Sequence, residues 1–72
     1  MIFKAEMTVG KKTKSIWLVG QSFKGWLTGA QYWHAHHRLM REVGTYDEFV
    51  CSRFYERCHD GSLEIVCAGN FY

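Results

Sequence analysis

Apolar and polar residues alternate at the beginning of the chain. Residues 2–9 place four apolar side chains on one side of an extended segment: Phe3, Ala5, Met7 and Val9. This alternation is typical of a strand with one buried face. The segment "SIWLV", residues 15–19, is rich in β-branched and aromatic residues and predicts a second strand. Because only the polar turn "GKKTK" separates the two, we expect an antiparallel hairpin.

A helix follows, and the sequence marks both of its ends. Thr28 and Gln31 form a capping-box pattern, and Leu27 and Tyr32 occupy the hydrophobic-staple positions around it. Gly44 stands where a helix commonly ends on a left-handed glycine. The pattern therefore predicts a helix over residues 29–43.

The segment 46–58 has two interpretations. The pattern "TYDE", residues 45–48, would begin a second helix, but the apolar residues of that helix would scatter over more than half of its circumference. Asp60-Gly61 is instead a strong signal for a two-residue hairpin turn. Such a turn places Arg57 opposite Glu64, a favourable cross-strand pair. It also gives the two strands a common core face: Val50, Phe54, Cys58, Leu63, Ile65, Cys67 and Phe71. We therefore favour two strands over the second helix.

These elements predict one α+β domain that comprises residues 1–72. It would have two layers, an antiparallel four-stranded sheet and one helix packed on one face, in the order ββαββ. The alternative order is ββααβ, with a second helix in place of the third strand. A chain of 72 residues supports only a small core and leaves little room for a deep cleft.

Composition narrows the class of protein further. Hydrophobic residues make up 47% of the chain and aromatic residues 17%, which argues against disorder. No run approaches the ~18 apolar residues of a membrane span, and the first residues lack the pattern of a signal peptide. Cys51, Cys58 and Cys67 are an odd number without a CxxC pattern. We therefore expect reduced thiols, a cytoplasmic location and no membrane partner.

Three histidines lie close together in "YWHAHHRLMR", residues 32–41. On a helical wheel, His36 lies in the middle of the apolar stripe, whereas His34, Arg38 and Arg41 lie on the exposed side and His37 at the border. The cluster is thus divided between two faces. We expect His36 to be a partly buried histidine that is satisfied by a hydrogen bond.

A metal site has little support in this pattern. Zinc needs about four ligands in fixed geometry, and His34 and His37 have no acidic or cysteine partner nearby on their face of the helix. An arrangement of His36 with Cys58 or Cys67 beneath the helix stays open. We predict no metal and no other cofactor.

Catalytic signatures are also missing from the sequence. It contains no GxSxG, P-loop or HExxH pattern. Cys58 and His59 are neighbours, but consecutive strand residues point to opposite faces of a sheet. We predict that the protein is not an enzyme.

Aromatic and arginine residues suggest partner recognition instead. The segment "GQSFKGWL", residues 20–27, places two aromatic residues between strand and helix, although it could equally fold over the sheet and bury them. A single helix covers one sheet face, so the other face should expose aromatic and arginine side chains, including Phe49 and Tyr72. The predicted partner-binding residues are His34, His37, Arg38, Arg41, Arg53, Tyr55, Arg57, Phe23 and Trp26.

Nucleic-acid binding is the alternative. Lys11, Lys12 and Lys14 cluster in the first turn, and Arg38 and Arg41 belong to the basic stripe of the helix. The formal net charge of +2 weakens this interpretation, because neutralising a phosphate backbone usually requires a larger excess.

The favoured hypothesis is a small non-enzymatic binding protein. It would inhibit or modulate a larger protein or nucleoprotein complex, as small single-domain proteins of phages and mobile elements do when they inhibit host defence. A homodimer is also compatible with the exposed apolar face that we expect.

Overall fold

The computed structural model describes residues 1–47 and 49–69. Its elements are β1 (Ile2–Val9), β2 (Lys12–Val19), α1 (Gly29–Val43), β3 (Ser52–Arg57) and β4 (Leu63–Gly69). The predicted α+β class and ββαββ order are confirmed. The alternative second helix is wrong, because β3 pairs with strands on both of its sides. The expectations for Phe71 and Tyr72 lie outside the described residues.

The four strands form one antiparallel sheet in the order β2-β1-β3-β4. β1 and β3 are therefore central, and β2 and β4 are the edges. β2 begins at Lys12 instead of residue 15, because the ladder with β1 continues to the pair Val9–Lys12. Its first residues are polar, which suits an edge strand with exposed side chains.

The helix has the predicted ends. The Gln31 amide donates to the Thr28 hydroxyl at 3.1 Å, and the Gln31 side chain accepts from the Thr28 amide at 3.0 Å. These bonds satisfy two amides that have no partner inside the helix. At the other end, Gly44 is left-handed with φ of 78°. Local signals alone therefore set the length of α1.

The core lies between α1 and one face of the sheet, which we call the inner face. Nine hydrophobic residues are buried there: Phe3, Ala5, Met7, Leu27, Ala35, Leu39, Met40, Val43 and Phe54. The rings of Tyr32 and Phe54 meet edge to face with centroids 4.8 Å apart, which joins the helix to a central strand. The alternation of β1 thus predicted the inner face correctly.

The turn between β3 and β4 differs from the prediction. The Cys58 amide donates to the Ser62 carbonyl at 2.9 Å, and the Gly61 amide donates to the Cys58 carbonyl at 3.0 Å. The loop therefore has three residues, and Gly61 supplies the left-handed conformation that this loop requires, with φ of 86°. As a result, Arg57 lies opposite Leu63 and not opposite Glu64.

A β-bulge in β4 offsets the longer turn. Phe54 pairs with Cys67, but Tyr55 pairs with Ile65, so Val66 is the extra residue. Between the turn and the bulge, each residue of β4 faces the side opposite to the one we predicted. Leu63 and Ile65 consequently leave the core and are 41% and 59% exposed. Their assignment to the core is wrong, because one residue of register reverses the face.

Candidate functional site

The sheet face opposite the helix carries a row of exposed apolar side chains. We call this the outer face, and its apolar members are Ile2, Trp17, Val19, Leu63 and Ile65. Trp17, Val19 and Ile65 are 56%, 65% and 59% exposed. None of these side chains contributes to the buried core among the described residues.

Strand pairing brings the outer-face residues together from all four strands. One row runs Trp17, Lys4, Tyr55, Ile65, since each neighbouring pair lies directly opposite in the ladder. The Cβ atoms of directly opposite residues lie about 5 Å apart, so their side chains are neighbours on the sheet surface. The result is a continuous surface in which the aromatic rings of two strands flank a lysine.

The charges of the outer face are mainly positive. The Lys4 ammonium lies 3.8 Å from a Glu6 carboxylate oxygen and 6.0 Å from the centre of the Trp17 ring. Arg53 lies opposite Glu6, and Arg57 lies opposite Leu63. Among the described outer-face residues, three cationic side chains therefore accompany one carboxylate. This distribution gives the outer face a net positive charge.

Two open clefts border the outer face. The first has a volume of about 400 Å³ and is lined by Ile2, Trp17, Leu18, Val19 and Arg57. The second, about 450 Å³, is lined by Glu6, Thr8, Val9, Val50, Cys51 and Arg53. The first cleft is mainly apolar and has one cationic side chain, that of Arg57.

The loop before the helix holds two aromatic residues that were predicted to bind a partner, and they differ in exposure. Phe23 is fully exposed, with 102% relative accessibility. Trp26 is 41% exposed and packs toward the core, with its ring 5.9 Å from that of Phe3. The alternative in which this loop buries both rings is therefore wrong for Phe23 and holds in part for Trp26.

The basic helix stripe is on the other side of the molecule from the outer face. His34, Arg38 and Arg41 are exposed, as predicted. Arg38 lies 3.5 Å from the Glu42 carboxylate, a partner the sequence interpretation overlooked. His37 is half-buried, with its ring 4.3 Å from that of Trp33. Because the helix covers the inner face, this stripe cannot form one contact surface with Arg53, Tyr55 and Arg57.

The three lysines of the first turn form a separate basic region. Lys11, Lys12 and Lys14 are all exposed. Lys12 and Lys14 pair with Val9 and Met7, so they belong to the helix side of the sheet. The structure therefore does not place the lysines on the outer face.

His36 is a fully buried polar residue beneath the helix. Its Nδ1 lies 2.8 Å from the Ser52 hydroxyl, which in turn donates to the Gly69 carbonyl at 3.3 Å. Because a hydroxyl has one proton to donate, His36 Nδ1–H donates to Ser52. Burial lowers the pKa of His36, and the nearby His37 lowers it further. The predicted hydrogen-bonded histidine is confirmed, and the sequence interpretation overlooked Ser52 as its partner.

The cysteines are free thiols. Cys51 is exposed, and Cys58 and Cys67 are half-buried. Over residues 1–47 and 49–69, no group of three or more His, Cys, Asp or Glu side chains could hold a metal ion. In the structure, the Nδ1 atom of His36 faces Ser52, not a thiol.

Comparisons with protein-family models, with curated proteins and with solved structures found no significant match. Within the part of the chain that the structure describes, no helix has the length and apolar character needed to span a bilayer.

Sequence reasoning missed the apolar half of the outer face. Trp17 and Val19 alternate with the half-buried Ile16 and Leu18, so the strand period carried a signal for the first two. Ile65 had no such signal, because its face depends on the length of the turn before β4. Phe49, expected on the outer face, lies in the turn before β3, where its amide donates to the Asp47 carboxylate at 2.9 Å.

Proposed function

We propose that this protein is a non-enzymatic binding protein that docks its outer face onto a protein partner. In doing so it would inhibit or modulate a larger protein or nucleoprotein complex. The observation that carries this proposal is the uncovered apolar row of the outer face, which includes Trp17 and Ile65 at more than half exposure. These side chains lie outside the buried core, so they are available to contact a partner.

The residue types on this face support binding to protein. Tryptophan, tyrosine and arginine are enriched among residues that dominate interface energies. Trp17, Tyr55 and Arg57 lie on three different strands, held by continuous ladders. A rigid sheet loses little conformational entropy on binding, which favours affinity.

The partner should present an apolar surface with acidic residues around it. Lys4, Arg53 and Arg57 make the outer face cationic, so a second copy of the same face would be repelled. This charge argues for a different protein as partner and against a homodimer through this face.

We further propose that the protein acts in the cytoplasm. Its three free cysteines support a reducing compartment, because small secreted domains usually pair their cysteines. An inhibitor made by a phage or mobile element would work in such a compartment, and the small size of this single α+β domain suits that role.

Affinity capture with matched variants tests the proposal. The bait is the purified tagged protein, and the extract is from cells in which it is naturally made. Trp17→Ala should abolish capture of a specific partner, whereas Trp33→Ala should not, because Trp33 has similar exposure, 50%, but lies on the helix. Circular dichroism must first show that both variants are folded. Equal capture by wild type and Trp17→Ala would refute the proposal.

Charge reversal separates the outer face from the helix stripe. We expect the double variant Arg53→Glu/Arg57→Glu to lose the partner and the double variant Arg38→Glu/Arg41→Glu to keep it. The opposite result would show that the partner binds the helix stripe and not the outer face.

Nucleic-acid binding is a second candidate, supported by one observation. Gln31 donates to the Val19 carbonyl at 2.9 Å, while His36 lies at Ser52, the strand partner of Met7. The helix therefore runs toward the lysine end of the sheet, and Arg41 lies in its last turn. A labelled 30-base oligonucleotide, single- or double-stranded, tests this idea at low salt. No binding would eliminate it, and binding lost in Arg38→Glu/Arg41→Glu would support it.

A further inference from the structure

Phe23 is a fully exposed aromatic residue on a turn that is closed by backbone hydrogen bonds. The Gly25 amide donates to the Ser22 carbonyl at 2.9 Å, and the Ser22 amide donates to the Trp26 carbonyl at 3.0 Å. Gly25 is left-handed, with φ of 82°. These bonds close a loop of three residues with Phe23 and Lys24 at its tip. The backbone geometry repeats that of the hairpin turn at Cys58–Ser62.

The turn is also fixed to the rest of the molecule. A Cβ atom added to Gly20 would lie 1.8 Å from the Gly25 carbonyl oxygen, so the two backbones are in direct contact. The Gly20 amide donates to the Met1 carbonyl at 3.0 Å, and the Gln21 amide donates to the Gln31 side chain at 3.1 Å. The same Gln31 caps the helix. The position of Phe23 is therefore set by the sheet and the helix together.

We infer that Phe23 is an anchor that inserts into an apolar pocket of the partner protein, with Lys24 meeting an acidic rim. This inference rests on the proposed protein-binding function. Because the backbone of this turn is held in place before binding, little backbone entropy is lost when the ring enters a pocket, which favours affinity. Aromatic rings that fill pockets are typical interface anchors. The exposed lysine beside it matches the anionic surface that the outer face also favours.

A protein pocket fits this turn better than a lipid surface does. Binding at a bilayer interface requires several apolar side chains that enter together. Here the second aromatic ring of the loop, Trp26, packs toward Phe3. A single protruding ring with one adjacent charge suits a pocket the size of that ring.

Site-specific crosslinking tests the inference. The photoreactive residue p-benzoylphenylalanine replaces Phe23 in one variant and Phe49 in another. Phe49 is the matched control, since it is a phenylalanine in a turn with 83% exposure. In the cell extract, position 23 should crosslink to the partner that the wild-type protein captures, and position 49 should not. Absence of a crosslink at position 23 would overturn the inference.

Affinity for the purified captured partner provides the quantitative test. We expect Phe23→Ala to raise Kd by about 30-fold or more and Phe49→Ala by less than about 3-fold. Lys24→Glu should slow association more than Lys11→Glu does, and added salt should reduce the difference. Equal effects of the two phenylalanine variants would refute the anchor, and equal effects of the two lysine variants would refute the acidic rim.

The outcomes distinguish a failure of this inference from a failure of the function on which it rests. If the wild type captures no partner, both fail. If Trp17→Ala weakens binding and Phe23→Ala does not, the outer face binds and only the anchor fails. Binding of the wild type, but not of Phe23→Ala, to vesicles of phosphatidylcholine and phosphatidylserine would assign the ring to a lipid surface and overturn the inference. A change in oligomeric state caused by Phe23→Ala would do the same in favour of self-association.

Discussion

The two faces of the sheet come from the same strands but have opposite surroundings. On the inner face, Phe3 and Phe54 are 0% exposed, and Met7 is 1% exposed. On the outer face, Trp17 and Ile65 are more than half exposed. Both faces carry large apolar side chains, so hydrophobicity alone does not distinguish them. What differs is the helix, which covers one face only.

This difference separates side chains that stabilise the fold from side chains that a partner could reach. Side chains on the inner face are packed at the density of a protein interior, so their loss leaves a cavity. Shortening a side chain on the outer face should reduce the free energy of unfolding less, because water already covers much of that side chain. Substitutions on the two faces should therefore change different measured quantities.

The largest expected effect is that of Phe54→Ala. This side chain is fully buried and contacts Tyr32, so its removal should lower the free energy of unfolding by about 3–5 kcal/mol. Urea denaturation followed by circular dichroism measures the change. Trp17→Ala on the outer face is the control, with a smaller expected loss of about 1 kcal/mol, because the side chain is more than half exposed and loses only its cross-strand contact with Lys4. Equal losses in the two variants would contradict the separation of the faces.

A smaller effect is expected at Gly20, where close packing extends from the core into the loop. Gly20→Ala forces a methyl group against the Gly25 carbonyl and should destabilise by about 1–3 kcal/mol. Gly29→Ala is the matched control, since nothing lies within 4 Å of a Cβ atom there, and it should stabilise by about 0.4–1 kcal/mol. Thermal unfolding of both variants checks the prediction. Unchanged stability of Gly20→Ala would show that the loop shifts to accommodate the methyl group.

Lowering the pH should reduce the free energy of unfolding through His36, which is buried between the helix and the sheet. Its pKa in the folded protein lies below the ordinary value of 6.5, so the unfolded chain takes up a proton first as the pH falls. Stability should therefore decrease from about pH 6.5 down to the lowered pKa, by at most about 1.4 kcal/mol per pH unit, and then level off. Urea midpoints measured from pH 8 to pH 4.5 test this, with His36→Gln as the variant that should flatten the decrease. An unchanged pH profile in that variant would exclude His36 as the cause.

The smallest effect concerns the part of the sheet beyond the reach of the helix. Glu56 lies opposite Glu64, and two like charges in a cross-strand pair repel each other. Glu64→Lys should raise the free energy of unfolding by about 0.2–1 kcal/mol, and high salt should reduce the gain. Glu42→Lys, which breaks the pair with Arg38, should give no such gain. A loss of stability in Glu64→Lys would show that the two carboxylates do not interact as the register implies.

Local signals made the helix and the first hairpin predictable. The capping box at Thr28 and Gln31 and the glycine at position 44 each act within a few residues, so the sequence contains all that they need. The alternation in β1 likewise reports burial directly. His36 was predicted to be partly buried from the wheel alone, but Ser52 is 16 residues away and small polar residues give no signal of a buried role.

The register of the last hairpin could not be predicted for a physical reason. Asp60-Gly61 suits a two-residue turn, but it also suits the end of a three-residue turn with a left-handed glycine. The bulge at Val66 then depends on contacts between β3 and β4 that no local pattern contains. The outer face was therefore predicted only in part. Arg53, Tyr55 and Arg57 were assigned to it correctly, whereas Leu63 and Ile65 were assigned to the core.

The bulge gives the last hairpin a spare residue. Val66 has no partner in β3, so its removal would leave Phe54 opposite Cys67 and Tyr55 opposite Ile65 in a regular ladder, and every other side chain would keep its face. Removing Ile65 would leave the same ladder, with Val66 in its place opposite Tyr55. A chain that is one residue shorter at this point can therefore present the same two faces, so comparisons of close variants should count residues in this hairpin before they compare residue types.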